Sequence, residues 1–219
     1  MTDEPSDPIM EATYRALCSH GYASLTMQDI ADETDLSTAA LHYHYDSKHD
    51  LLVSFLDYLY GEFTDRVRDP PGDDPAERLE RFIDAVLSPP EPDEDERVAF
   101  RTALLELKAQ APYDEDIRER LERVDRFLVD QARTLVAAGI EDGSFRPVDP
   151  DDTARFLVTA LDGAATERVS TGQDTDCTRR MIHSYVETHL VGEPAGQRGA
   201  DTGAAPADTD AETTREVRE

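Results

Sequence analysis

Apolar residues recur every three or four positions along most of this chain, and polar stretches with proline or glycine separate these runs. Such spacing is typical of amphipathic helices and predicts about nine of them between Ile9 and Leu190. The predicted fourth helix carries the clearest apolar set: Leu51, Leu52, Phe55, Leu56, Leu59, Tyr60 and Phe63. No stretch has the pattern of a strand, so the predicted fold class is all-α.

The N-terminal part of the chain predicts three helices, two of them very short. Gly21 suits the C-terminal cap of the first helix. Thr26 suits the N-cap of the second, with Asp29 completing an acidic variant of the capping box. Ser37 or Thr38 can cap the third, which reaches about Tyr45. This arrangement favours a helix-turn-helix, and a three-helix subdomain with no role in DNA binding is the alternative.

Proline and glycine mark the later boundaries. Residues 69–75 form a hard break, residues 88–95 form an acidic proline-rich loop, and the predicted seventh helix ends near Gly139. Residues 193–219 contain no aromatic residue and one bulky aliphatic residue, Val217. We therefore expect this tail to be disordered.

Several short motifs resemble the TetR/AcrR family of transcriptional regulators. They are residues 25–31 (Leu-Thr-Met-Gln-Asp-Ile-Ala), 36–37 (Leu-Ser), 40–48 (Ala-Leu-His-Tyr-His-Tyr-Asp-Ser-Lys) and 51–52 (Leu-Leu). The resemblance covers about residues 9–56. It implies a ligand-responsive, dimeric, DNA-binding repressor that a small-molecule effector releases from double-stranded operator DNA. The alternative is a small-molecule- or protein-binding dimer that has lost its affinity for DNA.

The resemblance also implies a division of the chain. Residues 1–50 would form the helix-turn-helix domain with an acidic N-terminal arm, and residues 51–71 a connecting helix. Residues 72–192 would form the ligand-binding and dimerisation domain, followed by the disordered acidic tail at 193–219.

The DNA-binding positions are likewise implied by the resemblance. They are Thr26, Gln28, Ser37, Thr38, Ala39, Ala40, His42, Tyr43, His44 and Lys48. Those at the start of the third helix would read base edges, and Gln28 could bond to an adenine edge. Tyr43, His44 and Lys48 would hold phosphates. His42 departs from the family, which usually has tyrosine there.

Positions in the C-terminal part have two readings each. Residues 104–111 resemble, weakly, regulators with a BetI-type C-terminal domain. Candidates for the wall of a ligand pocket are Phe82, Phe100, Tyr113 and Phe127, and each also suits plain core. Candidates for the dimer interface are Leu157, Leu161, Ala164, Tyr185 and Val186, with intramolecular core as the equal alternative.

No motif predicts catalysis, a cofactor or a metal. The chain lacks a nucleophile elbow, a phosphate loop, HExxH and CxxC. His42 and His44 would point about 200° apart on a helix, so they do not suit one ion. We therefore expect a protein that is not an enzyme, with no membrane span or signal peptide and with a cytoplasmic location.

Charge changes this picture in one respect. The net charge is −27, and only Lys48 and Lys108 are lysines, against 20 arginines. An acidic, lysine-poor chain suggests a salt-loaded cytoplasm, where charges are screened over about 3 Å at 1 M salt; an ordinary acidic protein is the alternative. Residues 1–50 carry a net charge of −8, which weakens the usual electrostatic attraction to DNA.

Overall fold

The computed structural model describes residues 8–87 and 94–192 and is all-α there, as the spacing predicts. Nine α-helices lie in these two ranges: α1 Pro8–Ser24, α2 Met27–Asp32, α3 Thr38–His44, α4 Lys48–Val67, α5 Pro75–Leu87, α6 Glu94–Lys108, α7 Glu115–Glu141, α8 Pro150–Thr171 and α9 Asp176–Tyr185. A short π-helical turn, Val186–Leu190, continues α9. The expected disordered tail, 193–219, lies outside the described residues.

The predicted caps of the two short helices are confirmed. The Thr26 hydroxyl accepts a hydrogen bond from the backbone N–H of Asp29, and the Asp29 carboxylate accepts one from that of Thr26. At α3, the Ser37 side chain accepts from the backbone N–H of Ala40. These local bonds satisfy donors that helices of six and seven residues would otherwise leave open.

Gly21 interrupts α1 at the predicted cap. Its φ of 69° lies in the left-handed region and its backbone is not helical, so a kink separates the main part of α1 from one further turn that ends at Ser24. At this bend the Glu106 carboxylate on α6 accepts a hydrogen bond from the N–H of Tyr22 at 2.6 Å. This bond, made 84 residues away in sequence, satisfies an amide that the break in the helix would otherwise leave without a partner.

Gly139, near which α7 is predicted to end, lies two residues before the last residue of that helix. Helix α7 continues past it to Glu141, and the turn is made by Gly143, whose φ is 83°. Gly139 is buried because the ring of Phe145 lies on it; a Cβ atom there would be 2.3 Å from the Phe145 Cδ2. The glycine therefore allows a close contact between the helix and the following segment.

Two main cores hold the described parts together. We call α1–α3 the head and α5–α9 the body. The head core contains Ile30, Ala31 and Leu41 and extends to Ala103 on α6. Leu36, in the segment that leads into α3, is 37% exposed. The body core forms around α5, α7, α8 and α9.

Lys48 fastens the start of α4 to the end of α1. Its Nζ donates hydrogen bonds to the carbonyl oxygens of Leu25 at 2.9 Å and Tyr22 at 3.2 Å, and lies 5.1 Å from the centroid of the Tyr22 ring. A cation at this position stabilises the C-terminal end of a helix, where carbonyl groups lack partners. The half-buried ammonium thus performs a structural task.

We expect Lys48→Met to lower the free energy of unfolding by about 1–2 kcal/mol, because two carbonyl groups lose a charged donor. The matched control is Lys108→Met, which removes the other lysine of the chain. Lys108 pairs with the exposed Asp162, and such pairs contribute about 0–1 kcal/mol. Urea denaturation at one fixed KCl concentration measures both, and equal losses would refute the structural task of Lys48.

Gly139→Ala should destabilise the protein by about 1–3 kcal/mol, because the new methyl group overlaps the Phe145 ring. Gly61→Ala is the control, since Gly61 is also helical and nothing lies within 4 Å of its Cβ position. That substitution should be neutral or stabilising by up to about 1 kcal/mol. Thermal unfolding of the two variants would show the opposite order if Phe145 did not pack there.

Candidate DNA-binding face and ligand cavity

The ten residues implied for DNA binding lie at the start of α2, along α3 and at the start of α4. Seven are exposed: Thr26, Gln28, Ser37, Ala39, His42, Tyr43 and His44. Thr38 and Ala40 are half-buried on α3. Tyr43 is the most prominent, with 87% of its surface exposed and its ring packed edge-on against His44. These seven residues, which we call the recognition face, present hydroxyl, amide, imidazole and methyl groups.

Lys48 does not lie on this face. Its ammonium is directed at the carbonyl groups of Tyr22 and Leu25, as described above. A phosphate contact of Lys48 stays a prediction, and it would require the ammonium to exchange a carbonyl partner for a phosphate oxygen. The motif position was visible in the sequence, but its partners, 23 and 26 residues away, were not.

Gln28 joins the two helices of the helix-turn-helix. Its Oε1 accepts a hydrogen bond from the Thr38 hydroxyl at 2.6 Å, and its Nε2 donates to Asp32 Oδ1 at 2.7 Å. Both ends of the amide are therefore engaged within the protein. Contact with an adenine edge would require Gln28 to exchange these hydrogen bonds for base contacts.

The electrostatics of the recognition face are unusual for a DNA-binding surface. Residues 26–47 contain no lysine or arginine, so His42 and His44 are the only basic side chains of this segment. The pKa of Asp29 is lowered, chiefly by the hydrogen bonds from the Thr26 side chain and backbone. That carboxylate consequently stays ionised while it caps α2. Base edges and phosphates would be met mainly by neutral donors and by shape.

A second link joins α4 to the body. His49 Nε2 lies 2.8 Å from Asp114 Oδ2, and the other Asp114 oxygen caps α7 at Ile117. Burial opposes ionisation of Asp114, but the Ile117 amide and His49 outweigh it, so its pKa is lowered. Burial, with Asp114 nearby, raises the pKa of Tyr22.

These residues also include a group that could hold a metal ion. Ligand atoms of His49, Asp114 and Asp116 lie within 4.8 Å of one another, and this is the one such group found in the described part of the chain. Each is already engaged: Asp114 caps α7, and Asp116 lies 3.5 Å from Arg120. The arrangement fits an ion-pair network between α4 and α7.

A cavity of about 580 Å³ lies between the head and the body. Helices α1, α4, α5, α6, α7 and α8 all contribute to its wall. Most of the wall is apolar, formed by Leu56, Leu59, Phe63, Val86, Leu104, Leu105, Leu121, Val124, Leu128, Val158, Leu161, Ala165 and Val169. This size and lining are typical of a site for a small organic molecule.

The four aromatic residues predicted for a pocket wall are in four different environments. Phe100 lines the cavity. Phe82 is fully buried in the body core. Tyr113 is 90% exposed in the turn between α6 and α7, and Phe127 packs edge-on against Tyr60 beside a separate shallow depression. Of these four residues, Phe100 is therefore the one that lines the cavity. Helical periodicity shows which face of a helix is apolar, but it does not show what that face packs against.

Helix α1 of the head contributes directly to the cavity. Glu11, Tyr14 and Arg15 line it, and the Tyr14 and Phe100 rings have centroids 4.8 Å apart. Sequence reasoning missed these positions because they belong to the segment assigned to DNA binding. It also missed Lys108 and Arg101, although the rarity of lysine gave a signal for Lys108.

The residues predicted for a dimer interface are mostly committed to the chain's own core. Leu157, Leu161, Ala164 and Val186 are buried in the body core, and Tyr185 packs beside them. The alternative reading, intramolecular core, accounts for these four. The outer surface of α8 and α9 carries other apolar residues: Phe156, whose ring contacts Tyr185, and Met181.

No helix in the described ranges is long and apolar enough to cross a membrane. Cys18 is half-buried and Cys177 is exposed, and the two are not joined in a disulfide.

Two family models match the chain. The model for bacterial regulatory proteins of the tetR family matches residues 9–55, and the model for the BetI-type transcriptional repressor, C-terminal, matches residues 75–191. Among curated relatives, the HTH-type transcriptional repressor KstR2 of Mycolicibacterium smegmatis is 26% identical over 71% of this chain and 78% of its own length. KstR2 of Mycobacterium tuberculosis H37Rv is 29% identical, covering 68% and 74%.

Solved structures show the same architecture. A TetR transcription regulator from Haloarcula marismortui superposes with a TM-score of 0.77 at 40% identity, covering 84% of this chain and 97% of that one. A putative transcriptional regulator from Saccharomonospora viridis, in complex with choline, has a TM-score of 0.72 at 26% identity and covers 85% and 97%. The chain therefore belongs to the TetR family of DNA-binding transcriptional regulators, with a BetI-type C-terminal domain, and it is not an enzyme.

Proposed function

We propose that this repressor acts as a cytoplasmic homodimer and leaves its operator when a small molecule binds in the cavity. The observation that carries the proposal is the shared cavity wall: α1 of the head and α6 of the body both line the same space. A ligand between them would contact both parts at once. The names of the curated relatives, which are repressors, agree with the direction of control.

The contacts between α1 and α6 supply a route from ligand to DNA. On α6, Leu104, Leu105 and Lys108 line the cavity, whereas Ala103 packs in the head core. The carboxylate of the neighbouring Glu106 accepts a hydrogen bond from the N–H of Tyr22. A shift of α6 on ligand binding would therefore move the end of α1 and the helix-turn-helix behind it. A coupling free energy of about 1–3 kcal/mol is sufficient for such control.

The recognition face supports readout by neutral groups. Each subunit would place α3 in a major groove, and the half-sites would lie about 34–36 Å apart or a multiple of this distance. Because residues 26–47 carry no lysine or arginine, few counterions would be released from the phosphates. Affinity should accordingly fall less steeply with salt than for a basic head. Such behaviour would suit the saline cytoplasm that the composition suggests.

The outer face of α8 and α9 supports the dimer. The Phe156 and Tyr185 rings pack at a tilt with their centroids 5.2 Å apart, and Met181 is exposed on α9. Thr159 and Gly163 continue the face of α8 on which Phe156 lies, so another helix could approach closely. We propose that this face, rather than the buried Leu157 or Val186, meets the second subunit.

The operator should be sought by selecting bound fragments from a genomic library and footprinting the best of them between about 0.2 and 3 M KCl. A two-fold protected site that persists at molar salt is the expected result. Failure of the folded dimer to retain any specific fragment would refute operator binding and favour the alternative, a sensor without DNA affinity.

We expect Tyr43→Ala to weaken operator binding by about tenfold or more, because Tyr43 projects from α3 beside the bases or phosphates. Tyr113→Ala is the matched control, since Tyr113 is equally exposed but lies on the body. Fluorescence anisotropy with the selected fragment measures both variants. Equal affinities would show that α3 does not contact DNA.

Phe156→Glu should convert dimers to monomers, because it places a charge in the proposed α8–α9 contact. Val98→Glu is the control: Val98 is 41% exposed, against 51% for Phe156, and lies on α6. Sedimentation velocity at fixed salt gives the masses. A dimer that survives Phe156→Glu with unchanged dissociation would place the interface elsewhere.

A further inference from the structure

We infer that the effector is an organic anion with a large apolar body, and that Lys108 is its main charge partner. This inference rests on the proposed function, since it assigns a chemical class to the molecule that fills the cavity. It comes from the balance of charges on the wall, from the contacts of Lys108 and from the environment of the aromatic rings.

The cavity wall is enriched in cations relative to the chain. Its basic residues are Arg15, Arg66, Arg101 and Lys108, and its acidic residues are Glu11, Glu62 and Asp162. The whole chain has 22 basic against 49 acidic residues. A wall with more cations than acids is therefore a local reversal of the protein's charge. It lowers the free energy of an anion in the cavity relative to the rest of the surface.

Lys108 is the cation best placed to exchange partners. Its Nζ pairs with the Asp162 carboxylate, which belongs to α8 and is itself 60% exposed at the side chain. An ion pair of this kind is weak, because water competes for both groups. A ligand carboxylate that enters the cavity could take the place of Asp162, which would turn back to solvent. Arg15, by contrast, is engaged twice, by the side chain and the carbonyl group of Glu33.

The aromatic residues of the wall argue against a cationic effector. Arg66 lies over the Phe63 ring, with its Cζ 5.1 Å from the centroid, and Arg123 lies over Tyr60 at 4.5 Å. A quaternary ammonium at either ring would lie close to a guanidinium. Tyr14 packs on Phe100. These rings therefore form an apolar wall, and they do not form an aromatic cage for a cation.

The apolar part of the wall indicates the size and polarity of the rest of the ligand. Leucine, valine and aromatic side chains from six helices surround a space of about 580 Å³, which suits a molecule of drug-like size. Lys108 is the last residue of α6, and the apolar Leu104 and Leu105 lie one turn before it. An acid could thus place its carboxylate at Lys108 and its apolar body among the leucines.

The test compares three probes of equal chain length on the full-length dimer: decanoate, decanol and decyltrimethylammonium. Isothermal titration calorimetry, below the concentration at which the probes form micelles, gives each Kd. Decanoate should bind most tightly. Decanol, or decyltrimethylammonium, binding as tightly as decanoate would overturn the inference.

Substitutions of opposite sign locate the charge partner. Lys108→Gln should weaken decanoate binding by about tenfold and leave decanol unchanged. Asp162→Asn should strengthen decanoate binding, because it removes the competing carboxylate. Arg118→Gln, which removes an exposed arginine on α7 outside the cavity, is the control for net charge. Identical decanoate affinity in the Lys108 and Arg118 variants would refute the role of Lys108.

Operator binding, measured on the same preparation without probe, separates the two hypotheses. Intact operator binding with no preference for decanoate refutes the anion and leaves the repressor. Lys108-dependent decanoate binding without any operator refutes the repressor and leaves the anion-binding cavity. Release of operator by decanoate, lost in Lys108→Gln, supports both.

Discussion

The bend of α1 at Gly21 is the place on which the geometry of this repressor depends. There the backbone of one short segment is held from two sides. Glu106 on α6 accepts a hydrogen bond from the N–H of Tyr22, and Lys48 on α4 donates to the carbonyl groups of Tyr22 and Leu25. One carboxylate and one ammonium thus fix the end of α1 to α6 of the body and to α4, the helix between head and body. Because these are charge-assisted hydrogen bonds, each is stronger than a neutral one. The head can move only as far as α4 and α6 allow.

This constraint explains why the rarest basic residue type is used for structure. In a chain with net charge −27, an ammonium on the recognition face would attract DNA. Lys48 instead donates hydrogen bonds at the end of α1, and Lys108 pairs with Asp162 at the cavity wall. The recognition face is left with hydroxyl, amide and imidazole groups. At high salt, the absence of lysine and arginine from this face lowers DNA affinity only slightly, because release of counterions then contributes little to that affinity. Specificity would rest on direct contacts and on the fit of α3 to the groove.

Features that depend on bonds between residues close together in the sequence can be predicted from the sequence. The Thr26–Asp29 cap and the Ser37 cap follow from residues three positions apart, and the all-α fold follows from periodicity. It does not predict contacts between distant segments. Gly139 suits a helix end by its residue type, but it lies inside α7, where the Phe145 ring packs on it. Phe82 and Phe100 have the same apolar pattern, and only tertiary packing places one in the core and the other at the cavity.

The position of the cavity has a further mechanical consequence. If the wall were made by the body alone, a ligand could reach the head only indirectly, through α4 or through the contacts that α6 makes with α1. Here Tyr14 of α1 contacts Phe100 of α6 directly, and both rings line the space that the ligand would fill. A molecule that separates these two rings would act on α1 without an intermediate helix. Since α1 also carries the carbonyl groups that hold Lys48 at the start of α4, both supports of the helix-turn-helix would respond to the same displacement.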